Sequence, residues 1–315
     1  MSALPAAPHA ASADRSSTGA APAGAPPTEA PTAGAAPSGA VPGLAVLAAS
    51  AGYAPPAGFV FLARRLGSRI VTFCLVELQK LKHDRTELIT RAIQPVLWLV
   101  IFGETFSRIR AIPTGGIRYL NYLAPGIIAQ SALFIAIFYG IQIIWERDAG
   151  VLTKLLVTPT PRAALVAGKA FAAGIRAIAQ AVVILAVSLL LGVTYTPNPL
   201  KLLGTLLVVV LGSAFFACLS VIIAGIVIRR DRLMGIGQAI TMPLFFASNA
   251  LYPVSVMPAW LRVISHCNPM SYQVAALRGL LIGVPTNLWL DYGVLAGSAV
   301  AAIAVASMLL GRLAK

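Results

Sequence analysis

Charged side chains are scarce in this sequence, and acidic side chains are the scarcest. Only 11% of the 315 residues are charged and 58% are hydrophobic, whereas a soluble protein carries about 25% charged residues. So little charge cannot cover a surface that faces water. The composition therefore excludes an ordinary soluble globular protein and predicts an integral membrane protein.

Cysteine and histidine are too few and too scattered to form a disulfide framework or a metal site. Cys74, Cys218 and Cys267 lie far apart, and their number is odd. No two of the three histidines have the spacing that places two imidazoles on one helix face. We therefore predict that this chain binds no metal and no cofactor.

No segment of the sequence has the phosphate-binding pattern G-x-x-x-x-G-K-[ST]. The nearest fragment, Gly168-Lys169, is followed by Ala170, and Ala163 stands where the first glycine would be. A catalytic set of serine, cysteine or carboxylate residues is lacking as well. We predict that the chain is not an enzyme, so that any ATP and Mg²⁺ would be bound by a partner subunit.

Ionisable residues are missing from the middle of the apolar segments, where ion-coupled carriers usually keep them. Glu104 and Asp291 both lie towards the ends of such segments. We interpret them as carboxylates at the outer membrane interface. An ion-coupled carrier is therefore disfavoured, although it stays an alternative.

Six apolar segments have lengths near the ~20 residues that a helix needs to cross a bilayer. They are residues 92–106, 119–144, 175–193, 202–228, 233–252 and 288–310. Their uninterrupted apolar runs lack the alternation of barrel strands. The predicted fold class is an all-α integral membrane protein with six transmembrane helices.

The net charge of +14 raises the question of a nucleic-acid partner. With the N-terminus placed inside, 18 of the 24 Lys and Arg residues fall in inner segments. The outer ones are Arg108, Arg110, Arg118, Lys201, Arg262 and Arg278. This asymmetry follows the positive-inside rule and predicts that both termini are cytoplasmic. The basicity thus reflects membrane topology, and no nucleic-acid partner is predicted.

The N-terminal part divides into two regions before the transmembrane domain at 92–315. Residues 1–58 are rich in Ala, Pro, Gly, Ser and Thr, a composition that predicts a disordered tail. Residues 59–91 include an amphipathic pattern with a basic face, which predicts an interfacial helix in the headgroup region. The alternative for this helix is a solvated element packed on other protein.

A loop between the second and third spans combines charges, a short apolar helical face and a proline stop. This pattern predicts a rigid projection at the inner membrane surface that docks into a groove of a partner. The residues assigned to it are Glu146, Arg147, Asp148, Val151, Leu152, Lys154, Leu155, Leu156 and Pro159. The alternative is an ordinary interfacial loop.

The outer segment between the fifth and sixth spans is apolar, but prolines interrupt it too often for one straight helix. We predict short helices that dip into the outer leaflet and return, with aromatic residues at the interface. The residues singled out in this segment are Pro253, Pro258, Trp260, Asn268, Pro269, Tyr272, Arg278 and Gly279.

Four stretches together carry a resemblance to a known family. They are Gln94-Pro95 with Trp98 and Gly103, Leu123-x-Pro125-Gly126, the Glu146–Pro159 loop with Arg162, and the block from Asn268-Pro269 to Gly283. From about Arg69 to the C-terminus, the chain resembles the membrane subunits of type-2 ABC transporters (ABC-2 type). It is most similar to the branch with daunorubicin-resistance and nodulation-factor export permeases.

This resemblance implies a half-channel of six helices with an amphipathic entry helix, an inner coupling helix and outer re-entrant helices. It also implies a second permease copy, identical or related, and separate ATPase subunits beneath the membrane. Such permeases lie in the bacterial plasma membrane, surrounded by lipid, and commonly export drugs, lipids, glycolipids or polysaccharide. A membrane assembly protein without transport activity stays an alternative to an exporter.

Overall fold

The structure, a computed structural model, describes residues 85–109, 112–150, 162–227 and 230–313, together with Leu75 and Gln79. Helices make up most of these residues, and no strand occurs in them. The α-helices are α1 (Arg85–Ile109), α2 (Tyr119–Asp148), α3 (Arg162–Leu190), α4 (Pro199–Val227), α5 (Arg230–Phe246), α6 (Ala259–Cys267), α7 (Pro269–Leu281) and α8 (Leu288–Leu313). The prediction of an all-α fold is confirmed.

The directions of α1 and α2 follow from contacts near both of their ends. The Arg91 guanidinium lies 5.5 Å from the ring centroid of Phe138, and the rings of Phe106 and Tyr119 are 5.5 Å apart. Because early residues of α1 meet late residues of α2, the two helices run antiparallel.

The remaining long helices continue this alternation. The Tyr292 hydroxyl donates to the Gly204 carbonyl at 3.0 Å, so α8 and α4 begin at the same end. The Arg162 guanidinium lies against Gly311, so α8 ends beside the beginning of α3. We call that end of the bundle, where α2 stops and α3 starts, the 149–161 end, and the other the opposite end.

Helix α2 is the centre of the bundle, because 83% of its most apolar stretch is buried, against 28% for α8. It packs against α1, α3, α4, α5 and α7. Four helices, α2, α3, α4 and α8, are long and apolar enough to cross a membrane. Helices α1 and α5 coincide with the other two predicted spans. Their crossing, and therefore the count of six, stays a prediction.

Two predicted span boundaries differ from the helices. The third helix begins at Arg162 rather than 175, because its first turns carry Arg162 and Lys169, which hydropathy assigns to a loop. The fifth helix ends at Phe246 rather than Tyr252, where the chain turns back among polar side chains. Helix α1 begins at Arg85, so residues 85–91 of the predicted interfacial region continue directly into the first span.

Local signals explain where several helices start and stop. Asn198 precedes Pro199 at the start of α4, and its side chain accepts from the Leu200 amide at 3.0 Å. Gly192, with φ +80°, terminates α3 in the left-handed region. Beyond it, the Tyr195 phenol shares a 2.6 Å hydrogen bond with Ser188. Burial raises the pKa of this phenol to about 12, so it stays protonated.

The predicted tail, 1–58, lies outside the described residues, as does the interfacial region before 85 apart from Leu75 and Gln79.

Candidate functional site

The first candidate site is the 149–161 end, where α2 stops. Gly150 has φ +71°, a left-handed conformation that glycine adopts at little cost. Its amide donates to the Arg147 carbonyl at 2.9 Å, and the Ala149 amide donates to the Trp145 carbonyl at 2.9 Å. The helix therefore ends in a defined turn.

An ion pair joins the two helices that flank this turn and the segment after it. The Glu146 carboxylate on α2 lies 2.5 Å from the Lys169 ammonium on α3. Lys169 is only 7% exposed, so its charge depends on groups of the protein rather than on water. A buried cation with a close carboxylate is stabilised far better than one without a partner.

The ring of Tyr139 extends this contact along the interface between α2 and α3. Lys169 lies 5.7 Å from its centroid and Arg176 lies 5.1 Å from it. Cations within about 6 Å of an aromatic face are attracted by the ring quadrupole. One carboxylate and one aromatic ring of α2 therefore face two cations of α3.

The predicted docking residues fall into two groups. Arg147 and Asp148 form a partly exposed ion pair of 2.9 Å on the last turn of α2, whereas Glu146 is directed towards α3. The others, Val151, Leu152, Lys154, Leu155, Leu156 and Pro159, lie outside the described residues. Their assignment to partner docking stays a prediction.

The second candidate site is residues 247–281, which we call the 247–281 segment. After α5 ends, the chain makes turns in which several carbonyl groups have no helical partner. Side chains from nearby and from distant parts of the chain donate to carbonyls of these turns and of the last turn of α5, and such bonds satisfy backbone groups that a helix or a sheet leaves unpaired. The bonds are Asn268 to Leu244 (2.7 Å), Tyr252 to Phe246 (2.7 Å), Arg278 to Asn249 (2.7 Å) and Ala250 (3.0 Å), and Tyr119 to Leu251 (3.0 Å).

Arg278 on α7 is the centre of this arrangement. It is 4% exposed, and its Nε also donates to the Tyr122 carbonyl at 3.2 Å. Its guanidinium carbon lies 3.5 Å from the centroid of the Tyr122 ring. No carboxylate among the described residues pairs with it. Carbonyl dipoles and one aromatic face thus stabilise the positive charge. Through these contacts Arg278 joins α2, α7 and the turn after α5.

Two glycines of this region lie in close contact with neighbouring elements. A Cβ on Gly126 of α2 would lie 2.5 Å from the Ala250 carbonyl oxygen, so no larger residue fits without displacement. On α4, Gly212 lies directly against the side-chain amide of Gln273 from α7. The Pro125-Gly126 pair of the sequence therefore brings α2 onto the turn after α5.

The other predicted residues of the segment have distinct places. Asn268 caps α7 by accepting from the Met270 amide at 3.0 Å, and Pro269 follows it as the first helical residue. The Tyr272 hydroxyl donates to the His266 carbonyl at 2.8 Å. The remaining four are positioned as follows: Pro253 precedes the short 3-10 helix Val254–Val256, Pro258 precedes α6, Trp260 is exposed on α6, and Gly279 lies against Thr286.

The two predicted carboxylates lie near the opposite end. Glu104 is half-exposed, and its carboxylate is 3.7 Å from the Arg118 guanidinium. Asp291 is buried in the first turn of α8. The structure brings neither of them together with the 149–161 end or with Arg278.

A groove of about 390 Å³ lies between α1 and α2. Its walls combine aromatic and aliphatic side chains with hydroxyl, amide and guanidinium groups. The residues are Thr90, Arg91, Gln94, Pro95, Ser131, Phe134, Ile135 and Phe138. The Gln94-Pro95 pair noted in the sequence thus contributes to a mixed polar and apolar surface.

Comparison with protein families decides what kind of molecule this is. The profile of the family described as ABC-2 type transporter matches residues 69–282, which is more than half of the chain. The chain belongs to the ABC-2 type transporter family. This result confirms the resemblance seen in the sequence.

Several relatives of this ABC-2 type permease have informative names. A putative transport permease, ycf38, from Cyanophora paradoxa is 29% identical over 205 residues, which cover 64% of this chain and 70% of the relative. The daunorubicin resistance ABC transporter permease protein DrrB1 from Streptomyces coeruleorubidus is 28% identical over 236 residues, 74% and 81% of the two chains. Nodulation protein J from Rhizobium leguminosarum bv. viciae is 28% identical over 221 residues, 69% and 84%.

Family membership and the apolar helices together establish a multi-pass membrane protein that serves as the permease subunit of an ABC transporter. Transporters of this family work with ABC ATPase partners. The match ends at residue 282, directly after the 247–281 segment.

Sequence reasoning missed several residues of the permease that the structure brings together. The sequence shows Lys169 as an inner-segment cation and as part of an incomplete phosphate-binding fragment, and nothing in its neighbours indicates a partner 23 positions away. In the sequence, Tyr119 and Tyr122 belong to an apolar segment predicted to span the membrane. Their spacing of three nevertheless places both on one helix face. That spacing was a signal, but it does not reveal the carbonyl groups that the face meets.

Proposed function

We propose that this chain is the permease subunit of an ATP-driven exporter that moves an amphipathic cargo across the bacterial plasma membrane. ATP and Mg²⁺ are bound by separate ATPase subunits, and two permease copies face each other within the lipid bilayer. The observation that supports this most strongly is the family match over residues 69–282 together with transport permeases among the relatives.

The topology proposed for this exporter has six spans with both termini in the cytoplasm. The alternation of helix directions supports it, because α1 starts and α8 ends at the 149–161 end. The positive-inside distribution places that end in the cytoplasm. The 247–281 segment then enters the outer leaflet and returns. Its backbone carbonyls are bonded by side chains, which is the condition for irregular backbone at membrane depth.

The groove between α1 and α2 supports an amphipathic cargo. Phe134 and Phe138 form apolar parts of its wall, whereas Gln94 and Arg91 add polar groups to it. A drug, lipid, glycolipid or polysaccharide with both apolar and polar portions fits this mixture better than a small ion does. The names of two relatives, which refer to daunorubicin resistance and to nodulation, agree with export of such molecules.

ATP-driven motion enters this permease through the segment from Glu146 to Pro159, which docks on the ATPase. A mechanical link needs an apolar face to bury and a defined stop, and the sequence provides both. Replacing Leu155 and Leu156 with Asp should weaken ATPase binding at least about tenfold, because burial of large side chains dominates such contacts. Co-purification of the ATPase with the tagged permease, followed by ATP-dependent transport, measures this effect.

A matched control is available within the same segment. Lys154→Gln removes one exposed charge, and an exposed ion pair contributes only about 0–1 kcal/mol, so this variant should bind nearly as the parent does. If the double-Asp variant is expressed, binds the ATPase and transports like the parent, the docking assignment is wrong.

A further inference from the structure

We infer that the ion pair between Glu146 and Lys169 acts as a strut that makes α2 and α3 respond together when the ATPase moves the segment between them. This inference rests on the proposed function, because it assumes that the 149–161 segment receives the motion. It assigns a role to Lys169, which no sequence pattern indicated, and it changes the role of Glu146 from partner docking to internal positioning.

The placement of the pair supports this role. Glu146 lies three residues before Ala149, where α2 ends, and Lys169 lies eight residues after Pro161, where the next helix is about to begin. A contact of 2.5 Å therefore joins these two helix ends. A displacement of the segment cannot separate α2 from α3 without breaking this contact.

Burial of Lys169 makes the contact between Glu146 and Lys169 costly to break. Lys169 is 7% exposed, and a buried ammonium without a partner is strongly unfavourable, so its release from Glu146 is resisted. The ring of Tyr139, with its centroid at 5.7 Å, also faces this ammonium. Because Arg176 approaches the same ring at 5.1 Å, Tyr139 is shared between two cations and cannot substitute for a carboxylate.

The neighbouring charges differ in direction. Arg147 and Asp148 pair with each other on the last turn of α2. Glu146 instead connects α2 to α3. Glu146 is therefore a positioning residue, whereas the docking role of Arg147 and Asp148 stays a prediction.

The test uses the full chain, isolated through an affinity tag together with the ATPase that accompanies it. Cys74→Ser and Cys218→Ala leave Cys267 as the single thiol, and Cys267 is exposed on α6, far from the ion pair in sequence. The rate at which a charged maleimide modifies Cys267 is measured with and without ATP. Retention of the ATPase on the tagged chain is measured in parallel.

Four variants are compared with this parent. Glu146→Gln and Lys169→Gln each break the pair, and both should reduce the ATP-dependent change at Cys267 by about tenfold while the ATPase is retained. The exchanged variant Glu146→Lys/Lys169→Glu restores a pair and should recover the change to within about threefold. Tyr195→Phe, which removes the hydrogen bond to Ser188 at the opposite end of α3, should leave the change intact.

Each outcome is decisive. A full ATP response in Glu146→Gln and Lys169→Gln overturns the strut. Equal loss in both single variants and in the exchanged variant also overturns it, because the residues would then be needed individually rather than as a pair. A parent that retains no ATPase, or whose Cys267 shows no response to ATP, contradicts the proposed function instead.

Discussion

The 149–161 end and the 247–281 segment differ in how the polar side chains inside them find partners. At the 149–161 end, side chains of opposite charge pair with each other, as Glu146 does with Lys169. In the 247–281 segment, side chains bond to backbone carbonyls, as Arg278 does with Asn249 and Ala250. The first arrangement joins two helices, α2 and α3, whereas the second joins three elements, α2, α7 and the turn after α5.

This difference indicates which part of the molecule is suited to transmit motion. A side-chain contact near the ends of two helices couples the displacement of one helix to the other, whereas bonds to backbone carbonyls hold the chain itself in place. We expect the 247–281 segment to behave as a rigid body and the 149–161 end to be the point where displacement enters.

In the proposed topology, the 149–161 end lies in the cytoplasm and the 247–281 segment lies at the outer side of the membrane. Cys267 is exposed in the structure and Cys218 is buried. A membrane-impermeant maleimide added to whole cells should therefore label the Cys74→Ser variant at Cys267, and the additional Cys267→Ser change should abolish the labelling. Labelling of Cys267 only in inverted vesicles would refute the topology.

Removal of the Arg278 side chain should damage the 247–281 segment severely. Arg278→Leu leaves the buried carbonyls of Tyr122, Asn249 and Ala250 without these donors, which should cost about 3–5 kcal/mol of stability. The melting temperature of the purified protein, followed by gel filtration after heating, measures the loss. Arg262→Leu is the control, because Arg262 is exposed and donates to the Met257 carbonyl at 3.2 Å. Equal melting temperatures for the two variants would contradict the role of Arg278.

A smaller effect is expected from filling the close contact between α2 and the turn after α5. In Gly126→Ala, the new Cβ meets the Ala250 carbonyl oxygen at 2.5 Å, and such overpacking costs about 1–3 kcal/mol. The same melting experiment applies. Gly297→Ala on α8 is matched, since nothing lies within 4 Å of its Cβ, and it should be neutral or slightly stabilising. A Gly126→Ala protein as stable as Gly297→Ala would show that the two backbones separate easily.

Hydropathy and proline placement predicted much of the fold. The helices near 119–144, 202–228 and 288–310 were located to within a few residues, because continuous apolar runs have few other interpretations. The start of α3 was missed because Arg162 and Lys169 resemble loop residues when their partners are unknown. Long-range pairing decides whether a charge belongs in a helix, and a single sequence does not report it.

The candidate sites show the same limit at the level of single residues. Asn268 and Arg278 were singled out from the sequence, but their hydrogen bonds reach 24 and up to 156 positions along the chain. Trp260 is exposed on α6, and its predicted place at the membrane interface stays a prediction. Chemical type and local break points are visible in sequence, whereas the identity of the carbonyl that a donor meets depends on how helices pack.

The way in which the 247–281 segment is held has a consequence for its response to acidity. Arginine stays charged at every pH that a cell meets, and neither a carbonyl nor the amide of Asn268 titrates. The hydroxyl groups of Tyr119 and Tyr252 are protonated in acid as they are at neutral pH. No bond described in this segment therefore depends on a carboxylate, and acidification of the surrounding medium leaves every one of them intact.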